Sequence, residues 1–458
     1  MQKYDVAIIG GGIGGLMAAY TIKKKTPNKS VIIIEKGGTI ESRKCVAQHG
    51  KSCAHCKTCS ITSGYAGAGA FSDGKFNLGT AYGGTLGNEL GEEKALHYIL
   101  AADNILKEHS DNDYPDVYKS NDKLKLKCLQ NNLQLLDMDV RHLGTDRNLL
   151  IMSRFIKTIE RIGVILVENE EVTNIKPNAD EYIVSCGNND NNSISAKNII
   201  FAVGRGGTAF LSEFCKQNNI GMKSNAVDIG VRVEMKDSIW NEFSSQIYEP
   251  KILYRTKTFE DRTRMFCFNK GGIVSAENNN GIITANGHSY SDNSKRTENC
   301  NFAILTSINF TEPFNQPTVY AANISGLANI IGAGNVIVQR FGDLIRGRRT
   351  NEHRLSQNTV KPTLKATAGD LSLVLPHRIL TDIIETINAL DNVAPGTAND
   401  DTLLYGCESK YYSVKPTMDD NFLIAPNVYV VGDCSGICRG LSQSAAMGLY
   451  VGEKVCDF

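Results

Sequence analysis

Residues Tyr4–Lys24, YDVAIIGGGIGGLMAAYTIKK, decide the fold of this chain. A short apolar strand, Tyr4 to Ile9, runs into GGGIGG, and the residues from Leu16 to Lys24 carry a helical pattern. Gly10, Gly12 and Gly15 fit G-x-G-x-x-G, with Gly14 inside the same turn. The first glycine permits the tight turn and the second lets backbone approach a pyrophosphate. The third allows close packing of helix on strand, with the phosphates at the helix N-terminus. A second strand, SVIIIEK, ends in Glu35 and Lys36, and Glu35 stands twenty positions after Gly15, where a carboxylate accepts from a ribose diol. The stretch predicts a dinucleotide site and leaves open whether the nucleotide is FAD or a nicotinamide.

Two distant segments bear on that choice. NVYVVGDCSG, Asn427 to Gly436, is a strand ending in Gly-Asp, followed from Gly440 to Val455 by a helix-like run of small residues. NIIFAVGRGG, Asn198 to Gly207, is an apolar strand closed by glycines. With GYAGAGAFSDGKFN (64–77), NGHSY (286–290), VQRFGDLIRGRR (338–349) and GDCSGICRGLSQSAAMG (432–448), the chain resembles the FAD-dependent dehydrogenases of the fumarate-reductase-like, two-domain flavoprotein superfamily. The resemblance implies FAD, with Asp433 at the ribityl chain or pyrophosphate and Gly204, Gly432, Gly440 and Ser442 as further cofactor contacts. It also implies that the loop 64–77 passes the isoalloxazine, placing Ser72, Asp73, Gly74 and Lys75 near flavin N5 or O4. It names no substrate.

The implied fold is α/β: a discontinuous Rossmann-like FAD-binding domain with a β-meander, residues 1–214 and 407–458, and a mixed α+β substrate cap, residues 215–406. Helical periodicity is expected over Glu92–Glu108, Lys123–Leu136, Asn148–Ile162 and Pro376–Leu390, and the meander over VILVENEEVTNI and EYIVSCG.

Composition narrows the partners. At 458 residues, two domains are expected. Lys plus Arg and Asp plus Glu both number 49, so no global charge favours nucleic acid or a membrane surface. That balance also disfavours a tRNA-modifying flavoprotein. The longest apolar run, Val6 to Tyr20, holds five glycines and is too short to span a bilayer. A strand beginning near Met1 leaves no room for a secretory signal, so the cytoplasm is the expected compartment and thirteen mostly reduced cysteines are expected there.

Four of those cysteines fall in CVAQHGKSCAHCKTC, residues 45–59. Cys53, Cys56 and Cys59 are spaced C-x-x-C-x-x-C, with Cys45 eight positions upstream. Three readings stay open: a [4Fe-4S] cluster, a structural zinc with His49 or His55 as substitutes, or a redox disulfide. The cluster departs from the ferredoxin run, since no C-x-x-x-C-P follows Cys59. A second nicotinamide fingerprint is missing from the sequence, which favours reduction by substrate, by a visiting nicotinamide or by a redox protein such as a ferredoxin.

In the cap, Arg340, Arg346, Arg348, Arg349 and Arg354 form either an anion clamp or an ion-paired basic face. His288, His377 and Tyr411 are candidate proton carriers. The expectation is a FAD-dependent oxidoreductase moving hydride between a small anionic metabolite and flavin N5, with Arg340, Arg348, His288 and Tyr411 in its site. The alternative is an electron carrier or redox sensor without turnover.

Overall fold

The computed structural model describes residues 1–45, 56–111, 114–136, 139–187, 193–279, 281–289, 293–311, 313–314 and 316–457. They fall into two compact units, one of residues 1–118, 138–225 and 413–458, the other of residues 119–137 and 226–412.

In the first unit β1 (Gln2–Ile9) is buried along its C-terminal half on both faces, as the uninterrupted VAII predicts for a central parallel strand. It pairs in parallel with β2 (Val31–Ile34), Val6 opposite Val31. Helix α1 (Ile13–Lys25) connects them. The expected helix α2 forms at Glu92–Glu108. Strands β3 (Lys75–Asn77) and β4 (Val140–His142) pair antiparallel, Lys75 opposite His142, just before α3 (Thr145–Arg161). β5 (Val164–Val167) extends the parallel sheet beyond β2. β6 (Val172–Asn178) and β7 (Glu181–Cys186) then fold as a meander onto β8 (Ile194–Phe201), which also lies parallel to β1. The C-terminal strand Val428–Val430 completes the parallel set on β8.

The C-terminal helix Leu441–Cys456 lies directly on α1. A Cβ on Gly448 would stand 2.2 Å from the Gly14 carbonyl oxygen, and one on Gly14 would stand 3.0 Å from that of Ser444. The contacts advance in the same sense along both helices, through Ala18 with Gly452 to Thr26 with Cys456, so the two N-termini lie at the same end.

The second unit is built on a mainly antiparallel sheet whose centre is β9 (Val227–Lys236). β9 alternates strictly. Val227, Ile229, Val231, Val233 and Met235 enter the apolar core, while Asp228, Arg232 and Glu234 lie on the opposite face and are buried as well. The unit also contains β10 (Arg262–Asn269), the separate hairpin of β11 (Ile273–Asn279) and β12 (Ile282–His288), β13 (Asn299–Ile308), β14 (Ile337–Arg340) and β15 (Leu403–Lys410); β13 and β15 flank β9, β10 and β14 lie beyond them, and α4 (Pro317–Ile331) and α5 (His377–Asp391) cover the apolar side.

Strand Met222–Lys223 pairs with Lys415–Pro416 inside the first unit, which moves the junctions from 214 to 225 and from 406 to 412. The helix expected over 123–136 stops at Leu129, and Leu133–Leu135 becomes an edge strand on Ile252–Tyr254 in the second unit. No helix among the described residues is long and apolar enough to cross a membrane.

Candidate dinucleotide site

The site is built where β1 gives way to α1. Gly10 has φ +106°, a region that side chains rarely enter, and its backbone passes so close to Ala202 that a Cβ would lie 2.4 Å from the carbonyl oxygen. α1 starts after Gly12 without a side-chain cap and without an acidic residue in its first turn, while Lys23, Lys24 and Lys25 close its last turn. Its first amides lack intrahelical acceptors, and no side chain of the helix answers the positive end of its dipole. The C-terminal helix likewise begins after Gly440 without a side-chain cap. Beside that start Ser442 is 4% exposed, and its hydroxyl has no hydrogen-bond partner among the described residues. Two uncapped helix N-termini and an orphaned buried hydroxyl make a cradle for the phosphates of a dinucleotide, and the residues present fit FAD.

Glu35 is buried, and the structure adds a role that its spacing did not suggest. Its Oε1 accepts from the amides of Gly37 (2.9 Å) and Gly64 (2.8 Å), and its Oε2 from that of Gly11 (2.8 Å). The carboxylate thus ties the fingerprint to the 64–77 loop and keeps acceptor capacity for a ribose hydroxyl. Beyond it lies a cavity of about 310 Å³ lined by Lys36, Ser42, Arg43, Thr58, Ser63 and Asn169. Arg43, which sequence reasoning missed, donates to the carbonyls of Ser60, Ile61, Tyr65 and Gly67 at 2.6–2.9 Å. Burial pushes its guanidinium down to about 10.

The 64–77 loop reaches the fingerprint directly, the Ala66 amide donating to Gly11 O at 2.8 Å. Asn148 of α3, wholly buried, fixes its middle through Gly69 O (2.7 Å) and Ala70 O (3.2 Å). Ser72 turns inward, its hydroxyl donating to Gly69 O and accepting from the Gly74 amide, so its side chain serves the loop. Asp73 holds Lys75 at 3.2 Å and faces His142 Nε2 at 3.7 Å. His142 comes from β4 and had no sequence signal, because only the β3–β4 register brings it opposite Lys75.

Gly204 and Gly432 end neighbouring parallel strands, and the residues after them pair: Arg205 Nη2 lies 3.1 Å from Asp433 Oδ2. Asp433, expected on the cofactor, carries a counter-ion of its own.

The cysteine segment gives no metal centre among the described residues, where no three His, Cys, Asp or Glu side chains converge. Cys53, His49 and His55 lie outside the described residues. Burial raises the Cys59 thiol, but the Thr62 hydroxyl, the amides of Ile61 and Thr62, and Arg43 outweigh it and leave the thiol below its ordinary range. Cys45, Cys56 and Cys59 are unlinked thiols.

The candidates of the second unit do not form one group. His288 is exposed at the end of β12. Tyr411 is half-buried near Ser325 and Ser409, and burial raises its phenol. Arg340 pairs with Asp401 and lies 3.6 Å from Asp343, Arg348 binds Asp343 at 2.7 Å, and Arg346 binds Asp400 at 2.7 Å. Of the two readings of the run, the ion-paired face describes Arg340, Arg346 and Arg348, which pair with carboxylates of the same unit, Asp343 being wholly buried among them.

Residues 226–411 match the family described as FAD-dependent protein, C-terminal domain-like, and residues 8–57 match the NAD(P)-binding Rossmann-like domain. No curated protein matches the chain. Among solved structures it is similar to the FrdA subunit of E. coli quinol fumarate reductase, with 13% identity over 100% of this chain and 71% of that one, TM-score 0.43. It is also similar to L-α-glycerophosphate oxidase from Mycoplasma pneumoniae (12% identity, 100% and 96% covered, TM-score 0.41) and L-proline dehydrogenase from P. horikoshii (10%, 100% and 94%, 0.41).

Proposed function

We propose that this chain, a Rossmann-like domain joined to a domain of the FAD-dependent-protein type, is an oxidoreductase that exchanges hydride between a small metabolite and FAD. The observation carrying the reading is the pair of uncapped helix N-termini, after Gly12 and Gly440, at the same end of two helices packed through Gly14 and Gly448. A positive helix end suits a pyrophosphate, and the orphaned Ser442 hydroxyl supplies a further donor.

Bound FAD supplies a two-electron acceptor and donor at N5. The chain's own residues do the rest. The α1 amides hold the phosphates, Glu35 takes the ribose, and Asn148 with Arg43 fixes the loop that carries Asp73 and Lys75. His142, oriented by Asp73, takes the proton that leaves a substrate heteroatom as hydride leaves the adjacent carbon, and returns it in the reverse direction. The second half-reaction goes to a small diffusible acceptor or to a redox protein such as a ferredoxin.

Anaerobic screening of a metabolite library for bleaching of the bound flavin tests the reading. With the substrate it identifies, His142→Gln should keep flavin bound and slow bleaching at least about tenfold. Unchanged bleaching would remove His142, and no bleaching by any metabolite would remove the enzyme.

The proposed route runs between substrate and flavin alone. Iron, sulfide and zinc analysis of anaerobically purified protein decides between the readings of Cys45, Cys53, Cys56 and Cys59: stoichiometric iron and sulfide would place a cluster there, and stoichiometric zinc a structural metal.

A further inference from the structure

Helix α4 presents a face that the flavin reading does not use. It lies within residues 313–339, which include no Lys, Arg, Asp or Glu. A helix that is uncharged all round is normally buried all round. α4 is buried on one side alone, through Pro317, Ala321, Ile324, Ser325 and Ala328. On the other side Val319, Leu327 and Ile330 are 47, 41 and 78% exposed. With Phe314 and Ile331, also exposed, they leave roughly 450 Å² of apolar surface in water, more than half of the ~800 Å² that one partner buries in a standard interface.

The helix cannot roll to hide this face. The hydroxyl of Ser325 bonds that of Ser409 on β15 (2.9 Å), and the Asn329 side chain bonds both the amide (2.7 Å) and the carbonyl (2.8 Å) of Ile283 on β12. These bonds fix the rotation of α4. At 3.6 residues per turn, Val319, Asn323, Leu327 and Ile330 share the outward stripe, with Asn323 midway between Val319 and Leu327. Gly326 makes a notch beside it, since a Cβ there would meet no described atom within 4 Å.

The charge of the face selects its occupant. Nucleic acid is held by Lys and Arg, and a helix lying in a membrane surface carries them on its polar side. α4 has neither. A partner bringing charges would bury them unanswered. What fits is another uncharged apolar face, and a second copy of this chain supplies one.

We infer that two copies of the chain associate through α4, packed antiparallel about a twofold axis at Asn323. That axis sets Val319 of one copy over Gly326 and beside Leu327 of the other, and every contact occurs twice. The two Asn323 amides meet at the axis, where each can donate to and accept from the other. No residue of the dinucleotide site takes part, so the pairing stands apart from the flavin reading.

Sedimentation velocity of the full-length protein, from about 1 to about 100 μM, tests the pairing, and the wild type should pass from monomer to dimer within that range. Gly326→Lys should raise the dissociation constant at least about a hundredfold, because it fills the notch and buries a charge on each side of the axis. In the single chain the same substitution meets open space and replaces a poor helix former with a good one, so circular dichroism and thermal stability should hold. Leu327→Glu should dissociate the dimer as well. A wild type that stays monomeric at about 100 μM, or a dimer unchanged by both substitutions, would overturn the pairing. So would flotation of the wild type with phosphatidylcholine vesicles that Leu327→Glu abolishes, which would give the face to lipid.

Discussion

Gly12→Ala is expected to give a folded protein without flavin, and Gly10→Ala to give no stable protein at all. Both change one hydrogen to a methyl group in the same turn, and the difference lies in what each methyl meets. At Gly12 the backbone is extended, φ −69° and ψ 172°, and the nearest atom to a new Cβ is the Ala202 oxygen at 3.9 Å. The fold loses nothing there. A methyl at that point instead occupies the surface where a pyrophosphate must lie against backbone, so flavin affinity should fall at least about a hundredfold, or roughly 3 kcal/mol. At Gly10 the new Cβ enters a φ of +106° and a 2.4 Å contact with a carbonyl oxygen. Backbone strain and overpacking each cost roughly 1–3 kcal/mol, together a large share of a domain's stability. The flavin-to-protein absorbance ratio and urea unfolding separate the two outcomes. Full flavin occupancy with unchanged affinity in Gly12→Ala would sink the assignment of this turn to the cofactor.

Local pattern and long-range pairing were unequally legible. The helix at Glu92–Glu108 was readable to the residue, because its buried positions Ala95, Ile99, Ala102 and Leu106 recur at three and four. The meander was readable from alternation between polar turns. The segment 123–136 misled, because Leu133 and Leu135 extend a helical pattern while their alternation suits the edge of a sheet supplied more than a hundred residues later. The arginine run left two readings open. Its partner Asp343 sits inside it, but Asp400 and Asp401 arrive 54 or more positions downstream, and only the fold shows that the three pair with Arg340, Arg346 and Arg348. Arg43, Asn148, His142 and Arg205 left no mark for the same reason: each acts on a segment that chain topology brings to it.

Asp382→Asn is expected to stabilise the protein at neutral pH and to leave it unchanged in acid. Asp382 lies on α5, is 0% exposed, and faces Thr256, Thr306 and Asp261. Burial pushes its carboxyl up to about 6, with the like charge of Asp261 adding to the rise. Asp261 itself is held below the ordinary range by a hydrogen bond from Arg378, so it keeps its charge and Asp382 retains the proton. The ordinary value, 3.8, applies to the unfolded chain. Below it Asp382 is protonated in both states, and its contribution to stability is full. As pH rises the unfolded chain ionises first, and the contribution is lost by the time pH has passed about 6. A two-unit rise corresponds to about 3 kcal/mol, nearer 2 after screening is allowed for. An amide of nearly the same size at this position cannot ionise. Urea unfolding from pH 4 to 8 should therefore show a variant that matches the wild type at the acid end and exceeds it by about 2 kcal/mol above pH 7. A pH-independent difference would show that packing at α5, and not proton release, controls this site.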